Sequence, residues 1–203
     1  CLKAILLEEQ GRPDEAIPEI DVALGINPDS WEVNREAARV LFRLGRTRDA
    51  IPYFEKAASL MDTDWHNPAM LMTCYHGTGD AKELRRAAQM TIERAEKALA
   101  KDPANAPALA SGAGALGTIG ERDRAKDWIE RALLLDPDNI LMRYNLACAL
   151  TIDLEDDERA IGVLEDYFNR TVSPTHIRHA DADPDLERLR RNPKFLAMVA
   201  GAK

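Results

Sequence analysis

The chain has 203 residues, enough for one ordinary domain or one extended repeat array, and its 27 Lys and Arg against 35 Asp and Glu leave a formal net charge of −8. That acidity argues against a duplex nucleic-acid surface as the principal partner. The longest apolar runs are a few residues, far short of the roughly 20 that a membrane-spanning helix needs, and no charged-then-apolar leader opens the chain.

A cytoplasmic protein with no membrane partner is therefore expected. Charged residues make up 31% and aromatic residues 5% of the chain, a balance that favours helices over strands. Cys1, Cys74 and Cys148 stand far apart with no paired spacing, so they are expected to be small buried residues in a reducing compartment rather than a disulfide or zinc set. The first residue, Cys1, lies inside a running apolar pattern, from which a piece of a longer protein is expected.

The chain repeats itself. Gly11 is followed by Ala16, Ala23 and Pro28, and 34 residues later stand Gly45, Ala50, Ala57 and Asp62. Gly120, Ala125, Ala132 and Pro137 keep the same internal spacings. Within the second copy, Ala37, Ala38, Leu41 and Leu44, then Ala50, Ile51, Phe54, Ala57 and Ala58, follow the three-and-four spacing of two amphipathic helices. Gly45 sits between them, where a left-handed residue closes a helix. The Asn27-Pro28-Asp29-Ser30 and Asp136-Pro137-Asp138-Asn139 stretches read as links between one helix pair and the next, with Asp29 and Glu32 at capping-box spacing. The recurrent alanines need no chemistry, because two helices approach closely only where the side chains between them are small.

In chain order, a truncated first unit spans 1–30, followed by units at 31–64, 65–105, 106–139 and 140–174 and by a linker and cap at 175–203. The first helix of the second unit carries Arg35, Arg39 and Arg43 at four-residue intervals, either a basic binding face or a solvated one balanced by Glu32 and Glu36. The corresponding helix of the third unit offers His66, Thr73 and His76. Gly79 and Gly120 are 41 residues apart, so the helix from Ala81 to Lys101 is predicted to be longer by almost two turns with its buried face in phase.

The fourth unit opens with a helix almost free of bulk: Ala108, Ala110, Gly112, Gly114, Ala115 and Gly117. Its glycines imply either close packing between helices or a floor left open for a partner. The fifth unit offers Tyr144, Asn145 and Thr151, has Leu154 where Gly is expected, and brings Ala160 one residue late, which predicts a looser turn. Asp183-Pro184-Asp185 and Asn192-Pro193 then predict two short helices, Asp185 to Arg190 and Lys194 to Val199, laying Leu186, Leu189, Phe195, Leu196 and Val199 over the end of the array.

On Ala38, Leu41, Gly45, Ala50, Phe54 and Ala57, and again on Ala113, Leu116, Gly120, Ala125, Ile129, Ala132 and Pro137, the sequence resembles the tetratricopeptide repeat. The resemblance implies an all-α, right-handed superhelical solenoid of antiparallel helix pairs, about five repeats plus a C-terminal cap. It implies a non-enzymatic scaffold that binds a protein or peptide on a concave face lined by the first helix of each pair. The binding residues expected there are Arg35, Arg39, Arg43, His66, Thr73, His76, Tyr144 and Asn145, and the arginines suit an acidic peptide.

The Lys/Asn set with which some members of that family clamp a terminal carboxylate is not reproduced. The run from Asp183 to Phe195, with Asn145 to Ala149, is also similar to the closing repeat segment behind the catalytic domains of bacterial adenylate/guanylate cyclase-like signalling proteins. That similarity implies a regulatory segment as the alternative.

No phosphate loop, nucleophile elbow or paired-Cys site occurs, and no cofactor or metal is expected. His176, His179, Asp181 and Asp183 lie within eight residues but read as a polar loop with Asp183 as an N-cap. Asn169-Arg170-Thr171 fits a glycosylation sequon without a secretory context.

Overall fold

The computed structural model describes residues 2–10, 12–170, 180 and 183–201, and every regular element among them is a helix. They fall into two compact units, Cys1–Lys97 and Ala98–Lys203.

In the first unit α1 (Leu2–Glu9) pairs with α2 (Pro13–Ile26), and α3 (Trp31–Arg43) pairs with α4 (Thr47–Leu60). α5 (His66–Thr78) packs on α4 and is followed by α6 (Ala81–Lys101), whose residues past Lys97 belong to the second unit. Three of the described reversals use left-handed glycines. Gly45 has φ +73°, its N–H bonds the Phe42 carbonyl, and the Arg46 N–H bonds the Leu41 carbonyl, so the helix end keeps partners for its last carbonyls. Gly79 and Gly120 do the same at φ +77° and +90°.

The repeated alanines are where helices meet: Ala16, Ala37, Ala38, Ala50 and Ala57 are fully buried, with Phe54 filling the space they leave. α6 has 21 residues against 14 in α4, and its buried residues Ala87, Ala88, Thr91, Ile92, Arg94 and Ala95 keep the three-and-four spacing.

Between pairs, the N-caps are Ser30, Asn105 and Asn139, whose side chains accept from the N–H groups of Val33, Ala108 and Met142 at 3.3, 3.0 and 3.0 Å. This corrects the capping box expected at Asp29. The helix starts one residue later, Ser30 donates its hydroxyl to Glu32, and Asp29 instead pairs with Lys56 at 2.7 Å.

Three buried polar side chains hold these links together. Asn34 donates to the Pro28 and Ser30 carbonyls, both at 2.8 Å. Arg143, at the equivalent place in the helix Ile140–Ile152, donates to the Pro137 carbonyl at 2.7 Å and pairs with Asp166 at 2.8 Å. Arg94 reaches from α6 to the carbonyls of Ala58, Met61 and Asp64 at 2.8 to 2.9 Å. Each carbonyl lies at a helix end or just past it, and left unpaired in the interior it would cost about 1–3 kcal/mol.

The second unit pairs α7 (Ala106–Ile119) with α8 (Arg122–Leu135) and α9 (Ile140–Ile152) with α10 (Asp157–Arg170), and closes with a 3₁₀ helix, η1 (Pro184–Arg191), and α11 (Pro193–Gly201). The glycines of α7 divide. A Cβ on Gly117 would lie 2.7 Å from the Asp153 Cβ, so this glycine exists for close approach, whereas one on Gly114 would meet only the Ala149 Cβ at 3.9 Å.

In the last pair Leu154 is buried and the left-handed residue is Glu155, φ +52°. Counted from Glu155, Ala160 is five residues on, as Ala50 is from Gly45, so the apparent lateness of Ala160 is a turn that reverses one residue later. Its bonds widen accordingly, from the Leu154 N–H to the Ala149 carbonyl and from the Asp156 N–H to the Leu150 carbonyl.

η1 packs on α9 and α10, and α11 on η1 and α10. Leu186, Leu189, Phe195 and Val199 are buried, but Leu196 is exposed, contrary to the expectation that it joins them. Residues three apart eclipse on a 3₁₀ helix, which puts Leu186 and Leu189 on one face. Phe195 and Val199 share a face of α11, and Leu196 lies about 100° around the helix from Phe195.

Candidate functional site

The outer face of α3 follows from the same periodicity that buries its inner one. With Ala37, Ala38 and Leu41 facing the core, Arg35, Arg39 and Arg43 fall on the opposite side. Trp31 supports the first of them, with the Arg35 guanidinium 4.4 Å from the centre of its ring. Glu36 lies between two of the arginines and is shared, at 2.6 Å from Arg35 and 3.3 Å from Arg39. One carboxylate thus orients two guanidiniums, each with five N–H donors, and the local charge stays positive. Arg43 is exposed at the last turn of the helix, where a cation complements the carbonyl end.

On α5, His66, Thr73 and His76 are all exposed, and Asp64 accepts from the backbone N–H groups of His66 and Asn67. Beside them Tyr75 is buried, its hydroxyl donating to Glu55 at 2.7 Å, and Arg86 bridges Glu55 and Glu83 at 2.9 and 2.5 Å. Burial first, and then the Glu55 carboxylate, push the Tyr75 hydroxyl well above its ordinary value. A shallow open depression nearby is lined by Arg46, Thr47, Arg48, Asp49, Gly77 and Thr78.

The two remaining expected residues lie in the second unit. Asn145 is exposed, but Tyr144 is buried and donates its hydroxyl to Asp183, so it is not available to a ligand. It begins an aromatic series, with Tyr144 to Tyr167 at 5.1 Å, Tyr167 to Phe168 at 5.4 Å and Phe168 to Phe195 at 6.2 Å, that ties the last repeat to the cap. Its partner Asp183 also caps η1, accepting the Asp185 N–H at 2.9 Å.

Ligand atoms of Cys148, Asp183 and Asp185 lie within 4.8 Å of one another, the one group with metal-like spacing among the described residues. One Asp183 oxygen already accepts the Tyr144 hydroxyl, and burial, then the Asp183 charge, push the Cys148 thiol far up. His176, His179 and Asp181 of the sequence cluster, and Thr171 of the sequon, lie outside the described residues.

Sequence reasoning passed over Trp31 beneath Arg35 and the buried Arg94. The second carries a signal, a cation at a position of α6 whose helical neighbours Thr91 and Ala95 are buried.

The tetratricopeptide repeat family pattern matches residues 1–68. The BBSome complex member BBS4 of Xenopus tropicalis is 25% identical over 142 residues, which is 68% of this chain and 25% of that protein, so the chain spans about a quarter of this curated relative's length. Among solved structures, the thermophilic tetratricopeptide-repeat protein TTC0263 of Thermus thermophilus is similar at TM-score 0.61 and 21% identity over 98% of this chain and 94% of that one. YrrB, described as a repeat protein with an unusual peptide-binding site, gives 0.52 and 20% over 88% of each chain. MamA gives 0.53 and 17% over 82% of this chain and 92% of that one. The chain carries the tetratricopeptide repeat in its first 68 residues and has the fold of tetratricopeptide-repeat proteins.

Proposed function

We propose that this chain is a non-enzymatic interaction scaffold that takes an acidic peptide or protein segment on the outer face of α3, through Arg35, Arg39 and Arg43. Exposed His66, Thr73 and His76 of α5 add polar contacts. The observation that carries the reading is the arginine stripe itself, aimed away from the core, with Arg35 stacked on Trp31 and Arg35 and Arg39 held in place by Glu36. Guanidinium pairs of this kind favour carboxylates through bidentate, charge-assisted hydrogen bonds. The peptide-binding site in the description of YrrB supports the class of function.

The proposal needs no cofactor and places the protein in the cytoplasm, with the repeats ending near residue 174 and a cap from 175. No described helix is long and apolar enough to cross a membrane. A pull-down from the source lysate with wild type and an Arg35→Glu/Arg39→Glu variant tests it, with circular dichroism as the control for folding. A partner captured by wild type and lost in the variant supports the α3 face, and capture unchanged by charge reversal refutes it.

A second reading, a regulatory repeat segment of a nucleotide cyclase-like enzyme, is favoured by the sequence from Asp183 to Phe195 that forms η1 and α11. The gene upstream decides it, because the absence of a catalytic domain there removes the idea.

A further inference from the structure

The face of α3 has a counterpart elsewhere in the chain that is already occupied. Aligned on their N-caps, Ser30 and Asn139, helices α3 and α9 place Tyr144 where Arg35 stands, Cys148 where Arg39 stands and Ile152 where Arg43 stands. Asn34 and Arg143, which both reach back to the carbonyl of the preceding turn proline, confirm the alignment. On α9 the first two of these positions are buried.

The cover is the chain's own acidic turn. Tyr144 donates its hydroxyl to Asp183, and the Cys148 sulfur lies within 4.8 Å of carboxylate oxygens of Asp183 and Asp185. Ile152 borders an open depression together with Asp185, Arg188 and Arg190. From there the turn runs into η1, which buries Leu186 and Leu189. The fold thus shows what this face of a first helix accepts: two carboxylates two residues apart, at the start of a helical turn with leucine behind them. On α9 a neutral hydroxyl donates to the first of those carboxylates and a thiol lies within 4.8 Å of both, whereas α3 offers guanidiniums at the same positions.

We infer that the α3 face receives, from a partner protein, an acidic turn of the same design, Asp-x-Asp followed by a short helical turn with leucine. The inference rests on the proposed function and names the shape of its ligand. Two arguments carry it. The same helix face in the same chain already holds such a segment, and the charges of Arg35, Arg39 and Arg43 complement it better than Tyr144 and Cys148 do.

The test is fluorescence anisotropy on the full chain with a labelled peptide Asp-Pro-Asp-Leu-Glu-Gln-Leu-Gln-Gln. Two control peptides accompany it, one with Asn-Pro-Asn at its start and one of alternating Glu and Ser with the same net charge. The expected result is binding that falls about tenfold or more on Arg39→Glu and on replacing the two aspartates, with the Glu-Ser peptide weaker than the first. Equal affinity for wild type and Arg39→Glu overturns the inference. So does peptide binding that renders Cys148 reactive to a thiol reagent in a Cys1→Ser chain, because the peptide has then displaced the cap from α9.

If the Glu-Ser peptide binds as well as the first and with the same dependence on Arg39, the turn-shaped ligand falls and the acidic-partner function stands. If neither binds, both fall. Self-association by light scattering that is lost in both Arg39→Glu and Asp183→Asn assigns the face to the cap of a second copy, and an outside partner is then excluded.

Discussion

Gly117 and Gly114 lie on the same helix, one turn apart, and differ in what a methyl group would meet. At Gly117 a Cβ falls 2.7 Å from the Cβ of Asp153, an atom fixed to the α9 backbone that cannot swing aside, and 3.6 Å from a Leu154 methyl. At Gly114 the nearest atom is the Ala149 Cβ at 3.9 Å, an ordinary contact. Both substitutions to Ala gain about 1 kcal/mol of helix propensity.

Gly117→Ala also forces α7 and α9 apart, an overpacking cost of about 1–3 kcal/mol, and strains the bond from Thr118 to Asp153 at 3.1 Å. The propensity term cancels between the two variants, so their difference isolates the close approach at about 2 kcal/mol. For a chain of this size that separates their thermal midpoints by about 4–8 °C, with Gly114→Ala the more stable. Melting curves by circular dichroism in parallel with urea titrations read the difference. Equal midpoints would refute the argument that Gly117 is required by the packing of α9.

Removing the Arg94 guanidinium with Arg94→Met strands the carbonyls of Ala58, Met61 and Asp64. A stability loss of about 3 kcal/mol in urea is expected, with Arg94→Lys recovering part of it. Burial pushes the Cys74 thiol up to about 11 and raises Cys148 as well. In a Cys1→Ser chain, a thiol reagent at mildly alkaline pH should therefore label neither until denaturant is added.

The Lys126 hydrogen bond holds the Asp156 carboxyl below its ordinary 3.8. Because the folded value is the lower one, its stabilisation is complete above 3.8 and is lost as pH falls through the depressed value. The deficit of Asp156→Asn, measured by urea midpoints across pH, should be full at neutrality and close in acid.

The repeat was legible because its marks are set by backbone geometry. A left-handed turn at Gly45 or Gly120 asks for Gly, and close helix contact at Ala50 or Ala125 asks for Ala, whatever the function. One-residue choices were not legible. Asp29 and Ser30 are both good N-caps, and the local sequence does not say that the helix begins after the second. Tyr144 looked like a groove residue because the Asp183 that takes its hydroxyl lies 39 residues away. Leu196 was misplaced for a related reason, since it is apolar and adjacent to Phe195 but turned from the shared face of Phe195 and Val199. The arginines of α3 were legible as a stripe. The stacking of Arg35 on Trp31 and the sharing of Glu36 by Arg35 and Arg39 depended on side-chain conformations that spacing does not fix.

The turn after α9 separates counting along the repeat from reading the backbone. Matching the family pattern by position would install the missing glycine at Leu154. The backbone places the left-handed residue at Glu155, φ +52°, with Leu154 buried. A non-glycine residue held left-handed costs roughly 1–2 kcal/mol. The contacts that Glu155→Gly would forfeit are ion pairs to Arg188 and Arg122 at 3.8 and 3.9 Å, on half-exposed side chains.

Pairs of that kind contribute about 0–1 kcal/mol, so Glu155→Gly should stabilise the chain slightly or leave it unchanged. Leu154→Gly removes a buried leucine from beside Gly117 and adds a flexible residue where none is needed, a loss of about 3 kcal/mol or more. Urea midpoints for the two variants should therefore move apart, with the pattern-restoring substitution the damaging one. If Leu154→Gly proved the more stable, the turn would reverse at Leu154 and the one-residue shift that brings Ala160 into register would be wrong.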